Sequence, residues 1–572
     1  MWFLCACSAR SVVSEMYATL FERKNMKTAI LFIASQSDPN GLDLLQSVIE
    51  KTLNNTSPQT RVVIVSEGNA DLLPSFPESS KRRIDRAHGV FRNASYAVLN
   101  AKNQGLLNVD LLFYPTPGDD IDITSQTIDA FIRAYEVTGA GFIISNHYEL
   151  IGDTGNERVL QELKPGSDPS NIIIPSRATN SNFFCHGSLI ALANRFINDR
   201  VFDEEVFWGT NYAIRMGVLA QDGKIYTITS PTYTFRRGKP FYPGEGLQEQ
   251  FSQKGDKKLE KHFSYIHDPA RFEWGPLSFQ KYLKDIGAFL PDSYFTKKVP
   301  VDPTLGKGIS FVMPTYNRAG LLRYAIESII EVRKKVDAFI PIELIVVDNG
   351  TDDTPNIVAS YVQQYPDLVK FYKVFGKTLG GARNFGIQRA WNYIIGQLDS
   401  DDVLTGDPVT EIIKQFNRSG AAAIIGIYQT AWRNPENGEL VLDHQVVTHD
   451  EYLCGRSNPL LQMCIPGPGA PRYYRKEAVL ASGGYPDLLY GEDAALSDQM
   501  LKQGFLIERN MAEANYIAVR HGANTDSEQV GADVLARKNY SKYSFKISIL
   551  EELKHLVLSN RYYHKYNNKV GF

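Results

Sequence analysis

The sequence predicts an α/β protein made of two tandem β-α-β domains, a connector between them and a helical C-terminal tail. A buried-strand, turn, helix, strand pattern occurs twice along the chain. Landmark residues of the two copies are separated by a constant interval: Gly68 and Gly350, Asp120 and Asp402, and Gly209 and Gly491 each differ by 282 positions. The length of 572 residues, 43% of them hydrophobic, exceeds one ordinary domain and supplies material for several cores.

In the first copy, the apolar run Ala29–Ile33 predicts a buried strand. The turn-like 35–41 segment follows, then a helix over Leu42–Leu53 and a second strand over Arg61–Val65. The second copy repeats this order with a strand over Ile309–Met313, the turn Pro314-Thr-Tyr-Asn317, a helix over Leu321–Arg333 and a strand over Glu343–Val347. Residues 26–239 and 307–530 are therefore the two expected domains. The Pro-, Gly- and Lys-rich stretch 240–306 reads as an ordered connector with some helix around Leu277–Ile286. The tail 531–572 carries Lys and Tyr around the apolar run Ile547–Leu558. A helix packed back on the second domain is the simpler reading; a basic aromatic surface against a membrane or polyanion is the other. Residues 1–25 read as a disordered extension, or as upstream translation before a start at Met26.

Composition excludes several classes. Lys plus Arg total 61 against 64 Asp plus Glu, so a global polycation for nucleic acid is not expected, a local basic patch being the alternative left open. The five cysteines, Cys5, Cys7, Cys185, Cys454 and Cys464, have no zinc spacing and are too few for a disulfide framework. A reducing, cytoplasmic setting is expected, with peripheral membrane contact by the tail as its variant. No stretch reaches the ~18 apolar residues of a membrane span, and no Gly-x-Gly-x-x-Gly follows the first strand of either copy.

The chemistry concentrates in the second copy. Asp399, Asp401 and Asp402 fall within four residues after an apolar strand, where a hard divalent cation would relieve their repulsion and hold a diphosphate. An acidic turn or helix cap is the alternative. Thr315, Tyr316 and Asp348 lie at strand C-termini, where open α/β sheets bind ligands. Gly380-Gly381-Ala-Arg383 places flexible glycines before a helix start, with a cation for phosphate oxygens. Glu492-Asp493, at a loop-to-helix junction, suits general-base work, and His521 ends an apolar segment at the same sheet edge.

Together these motifs (Pro-Thr-Tyr-Asn, Val-Val-Asp-Asn-Gly-Thr, Gly-Gly-Ala-Arg-Asn-x-Gly-Ile, Leu-Asp-Ser-Asp-Asp, Gly-Glu-Asp and a late His) resemble the GT-A-fold, Rossmann-like family 2 glycosyltransferases over Ile309–Asn524. The resemblance implies inverting transfer of a sugar from a nucleotide-sugar donor, usually a UDP-sugar, to a hydroxyl acceptor such as a glycan, with Mn²⁺ or Mg²⁺. It implies Thr315, Tyr316 and Asp348 on the nucleobase side, Arg383 near the donor and Asp399 at the ribose. Asp401 and His521 would hold the metal, with Asp493 as base and Glu492 orienting the acceptor. The family often has an Arg-containing helix after Glu-Asp; here the stretch reads Ala494-Ala-Leu-Ser-Asp-Gln-Met500.

The same alignment gives the first copy Ser66 for Asp348, Pro117-Gly-Asp119-Asp120 for the acidic loop, Thr210-Asn211 for Glu492-Asp493 and Arg237 near the His521 position. Asn cannot act as a carboxylate base and Arg cannot ligate a cation. The first domain is therefore expected to be an inactive GT-A scaffold. Two competing readings are a bifunctional polysaccharide synthase with both domains active and a non-catalytic carbohydrate- or polyanion-binding scaffold.

Overall fold

The computed structural model describes residues 26–34, 39–68, 72–73, 76–89, 94–116, 118–151, 157–163, 187–202, 210–236, 275–299, 306–433, 439–447, 469–488, 491–510, 514–520 and 532–559. The chain divides into two units, with the break between Trp274 and Gly275.

Unit 1 contains β1 (Thr28–Ala34), α1 (Pro39–Asn55), β2 (Arg61–Glu67), β3 (Ile84–Gly89), α2 (Ala94–Asn103), β4 (Leu111–Pro115) and β5 (Asp120–Asp122). It continues with α3 (Ser125–Thr138), β6 (Phe142–Ser145), β7 (His147–Ile151), β8 (Glu157–Gln161), β9 (Leu189–Ala193), α4 (Thr210–Leu219), β10 (Ile225–Ile228) and β11 (Thr234–Arg236). Its main sheet has the order β3-β2-β1-β4-β9-β6-β10, and β5-β11-β7-β8 form a second sheet. The central strands are buried along their length. Helices cover such parallel strands, so they read as unbroken apolar runs rather than alternating ones.

Unit 2 opens with α5 (Gly275–Asp285), then β12 (Gly306–Thr315), α6 (Ala319–Lys335), β13 (Ile342–Asp348), α7 (Thr354–Gln364), β14 (Val369–Lys373), α8 (Leu379–Arg389) and β15 (Asn392–Gln397). Next come β16 (Val403–Leu404), α9 (Thr410–Ser419), β17 (Ala423–Ile425), β18 (Tyr428–Arg433), β19 (Leu440–Val447) and β20 (Arg472–Arg475). The unit closes with α10 (Lys476–Ala481), α11 (Glu492–Lys502), β21 (Ile507–Arg509), β22 (Tyr516–Arg520) and α12 (Ala532–Ser559). Its sheets have the orders β14-β13-β12-β15-β20-β17-β21 and β16-β22-β18-β19. Strand for strand this is the order of unit 1. The directions also agree: β9 and β20 are the antiparallel members between otherwise parallel neighbours.

In each unit the chain winds outward from the central strand, then returns to its other side. The switch point lies between β1 and β4, and between β12 and β15. The carboxyl ends of the strands diverge there and leave a crevice. The expected helices form with longer bounds, because polar turns extend them beyond their apolar stripes. Of the stretch expected as connector, residues 275–299 pack on unit 2: Lys297 N donates to the Gly504 carbonyl at 2.8 Å and Tyr294 Oη to that of Lys502 at 2.6 Å. The C-terminal helix is also seated on unit 2, burying Ile549, Leu550 and Leu553. Among the described residues no helix is long and apolar enough to cross a membrane.

Candidate active site

The β12 and β13 ladder ends with Thr315 opposite Asp348, at the carboxyl edge beside the switch point. Asp348 is fully buried. Its Oδ1 accepts from Gly350 N at 2.8 Å, and its Oδ2 accepts from Lys373 Nζ at 2.7 Å. Lys373 is its cross-strand partner on β14. Both carboxylate oxygens are thus committed, and the ammonium of the partly exposed Lys373 also donates to the Gly350 carbonyl. Thr315 Oγ1 is buried without a protein partner, whereas Tyr316 is exposed.

The glycines expected as a flexible loop are instead the first turn of α8. Thr378 is its N-cap and accepts from Gly381 N at 3.1 Å. A Cβ on Gly380 would lie 2.8 Å from the Pro486 carbonyl. Small residues are needed here because the Gly483–Asp487 loop docks on the helix. Asn384 exchanges two 2.8 Å hydrogen bonds with the Tyr485 backbone, and Thr378 donates to Asp487 at 2.5 Å. The docked loop carries the chain to α11, which starts at Gly491 in the left-handed region (φ 76°) and presents Glu492 and Asp493 in its first turn.

Arg383 projects from α8 and donates to Gln397 Oε1 at 2.6 Å and Asp399 Oδ1 at 2.9 Å; its Nε lies 3.4 Å from Glu492 Oε1. Arg472, on β20, pairs with Asp493 and approaches Asp399 at 3.9 Å. Two buried guanidiniums therefore join Asp399 to the sequence-distant, adjacent pair Glu492 and Asp493. Burial alone would lower the pKa of Arg383, but Asp399 and Glu492 raise it to a net increase. Arg472 behaves likewise through Asp493 and then Asp399. Burial pushes the Asp399 carboxyl up, and the two arginines outweigh this, leaving it below its ordinary value. Glu492 moves the other way, because burial and then Asp493 raise it more than Arg383 lowers it.

The acidic loop does not act as one three-carboxylate cluster. Asp399 turns to the arginines. Asp402 accepts from Tyr516 Oη at 2.6 Å and from Val519 N at 2.9 Å, tying the loop to β22. Burial, then Asp401 and Asp399, push the Asp402 carboxyl well up. Among the described residues no group of three potential metal ligands is present. Asp401, half-buried, is the loop carboxylate suited to a hard cation, and one or two protein carboxylates plus phosphate oxygens are a normal Mg²⁺ donor set. His521 lies outside the described residues, as do Pro117, Gly209 and Arg237.

Sequence reading missed Arg472, Lys373 and Tyr516. The stretch after Glu492-Asp493 carries no arginine, and the one that meets Asp493 comes from β20. Its sequence signal is a short strand with an arginine at each end, Arg472-Tyr-Tyr-Arg475.

Strand registers also locate the unit 1 counterparts. Ser66 pairs with Ala34 where Asp348 pairs with Thr315, and His88 is opposite Ser66 where Lys373 is opposite Asp348. Ile190 is opposite Tyr114 where Arg472 is opposite Gln397. Counting on from those pairs puts Thr116, rather than Pro117, at the Asp399 position. Thr210 and Asn211 open α4 as Glu492 and Asp493 open α11. Asp120 is paired with Lys51 at 2.9 Å.

Residues 310–463 match the family described as Glycosyl transferase family 2. Unit 2 thus contains a family 2 glycosyltransferase domain. An uncharacterized glycosyltransferase of Rickettsia conorii is 23% identical over 402 residues, covering 65% of this chain and 61% of that protein. The minor teichoic acid biosynthesis protein GgaA of Bacillus subtilis is 32% identical over 126 residues, covering 21% and 28%. The chain therefore spans less than two thirds of the length of these relatives. The crystal structure of S. aureus TarS 1-349 in complex with UDP-GlcNAc aligns with 43% of this chain and 72% of that one, at 19% identity and a TM-score of 0.30.

Proposed function

We propose that unit 2 transfers a sugar from a nucleotide-sugar, in the first instance a UDP-sugar, to a hydroxyl acceptor with inversion at the anomeric carbon, and that unit 1 does not catalyse transfer. The observation that carries this reading is the ion cluster at the sheet edge within unit 2. It gathers Arg383, Arg472, Asp399, Glu492 and Asp493 beside the switch-point crevice.

In this reading Thr315 and Tyr316 border the nucleobase, and Asp348 contributes by fixing Lys373 and the Gly350 turn. Asp399, held by two guanidiniums, faces the ribose. Asp401 with His521 would hold Mn²⁺ or Mg²⁺, which when bound supplies charge neutralisation for the leaving diphosphate. Asp493 takes the acceptor proton. Its carboxylate is more exposed than that of Glu492, and Arg472 fixes its orientation. Glu492, buried against Arg383, keeps the first turn of α11 in place and orients the acceptor hydroxyl. A second transferase in unit 1 would need a carboxylate base, and Asn211 stands at that position.

The test is release of UDP from UDP-GlcNAc, UDP-glucose, UDP-galactose and UDP-GalNAc in the presence of Mn²⁺. Wild type is expected to release UDP from at least one donor, and Asp401→Ala and Asp493→Asn to fail on that donor. Equal release by all three proteins would overturn the site assignment. Release that survives Asp493→Asn and disappears with Asp119→Ala plus Asp120→Ala would move the activity to unit 1.

A further inference from the structure

We infer that the C-terminal helix α12 is a positioning element of the active site, and that the buried Lys546–Asp498 ion pair sets the seat of the helix carrying Glu492 and Asp493. This rests on the reading of Asp493 as base.

Three contacts run in order along one stripe of α11. At its start, a Cβ on Gly491 would fall 2.5 Å from Lys542 Cδ, so the aliphatic stem of Lys542 lies directly on the helix cap. Seven residues on, and so on the same face, Asp498 receives Lys546. The ammonium lies 3.1 Å from Oδ1 and 2.9 Å from Oδ2. One turn further, Lys502 pairs with Glu552 at the surface. The Lys546 and Asp498 side chains are only 1% and 2% exposed. Beside them α12 buries Ile549, Leu550 and Leu553.

A pair this deep is a poor device for stability. Desolvation of two charges roughly cancels their attraction, and apolar residues of similar volume do as well or better. What the pair adds is geometry. One ammonium hydrogen-bonded to Oδ1 and in ionic contact with Oδ2 fixes the rotation and axial position of α11, while the other side of its first turn is tied to Arg472 and Arg383. Displacement of a catalytic group by about 1 Å costs on the order of 10²-fold in rate, so a fixed seat has a direct catalytic consequence. Unit 1 supports the assignment. Counting from the helix starts, buried Met216 occupies the Asp498 position in the unit that has Asn211 in place of the base.

The experiment uses the full chain and hydrolysis of UDP-GlcNAc with Mn²⁺, alongside UDP affinity by calorimetry, Tm, and hydrogen exchange of amides 491–496. Lys546→Met is expected to lower kcat about tenfold or more, with KM and the Kd for UDP within about twofold, and to speed exchange in 491–496. It also lowers Tm, because buried Asp498 loses the ammonium hydrogen-bonded to it and keeps only the charge of Lys542. Asp498→Asn with Lys546→Met removes both charges. That double variant is expected to regain Tm while kcat stays low and exchange stays fast. Recovery of wild-type kcat together with Tm in the double variant would make the pair merely structural and overturn the inference, as would unchanged exchange in both variants. Wild-type turnover by Asp493→Asn would instead overturn the base assignment beneath it, so the two failures are distinguishable.

Discussion

At the carboxyl edge of its sheet, unit 2 holds Asp348 with Lys373, and Arg472 between Asp399 and Asp493. At the corresponding register positions unit 1 has Ser66 and His88, and Ile190, Thr116 and Asn211. Strand order, strand direction and helix placement are otherwise common to both. The positions that differ are partners in unit 2, and unit 1 has neither the arginine nor the carboxylates there. The physical reason is the cost of stranding a charge. Arg472 is almost fully buried, and replacing it alone would leave Asp493 without its ion-pair partner and Asp399 with Arg383 alone. Without its partners each member would be a liability, and Ser66, Thr116, Ile190 and Asn211 at the corresponding unit 1 positions carry no charge. The scaffold tolerates this because its strength lies in the buried apolar strands.

Exchanging residues between the units tests this comparison. The largest effect is expected from Asp493→Asn, which installs the unit 1 residue. UDP release should fall about 10³-fold, whereas the reverse change Asn211→Asp in unit 1 should leave release within about twofold. A gain of transfer by Asn211→Asp would break the comparison. Next, Asp401→Ala, or chelation of the divalent ion, should lower release at least about tenfold. Asp120→Ala should leave release unchanged, since that carboxylate is occupied by Lys51.

A smaller effect sharpens the idea of joint loss. Arg472→Ile, the residue at position 190 of unit 1, should destabilise unit 2 by about 3 kcal/mol. Adding Asp399→Thr and Asp493→Asn should recover at least half of that. Urea unfolding of the single and triple variants measures it, and equal losses in both would show that the arginine matters for packing alone.

The smallest effect concerns pH. Burial and Asp493 raise the Glu492 carboxyl above its ordinary value. In the interval between its unfolded and folded pKa values the native state therefore binds more protons than the unfolded chain, and this contribution to stability is lost as pH rises. Glu492→Gln has no such proton to lose. The difference in Tm, variant minus wild type, should accordingly be more positive at pH 7 than at pH 4 in metal-free buffer.

Much of this was legible in the residues. Unbroken apolar runs marked the central strands, and the 282-residue interval marked two similar units, because both depend on local periodicity. The carboxylates Asp399, Glu492 and Asp493 stood out because clustered acids are conspicuous in a sequence. Their partners did not. Arg472 lies on an antiparallel strand that enters the sheet late, and nothing in its neighbours announces that it will meet Asp399 and Asp493. The adjacent acids Asp399, Asp401 and Asp402 also looked like one cluster. The fold separates them, turning Asp399 to the arginines and Asp402 to Tyr516 and Val519.

By itself, then, the sequence determined which segments become strands and helices, that the pattern occurs twice, and which copy carries the clustered acids, since each of these is a property of neighbouring residues. Only the tertiary structure decided which charge answers which. Ion pairs and hydrogen bonds form between residues brought together by sheet order, and the 25, 109 and 117 positions separating Lys373 from Asp348, Arg383 from Glu492 and Asp402 from Val519 carry no local trace of that order.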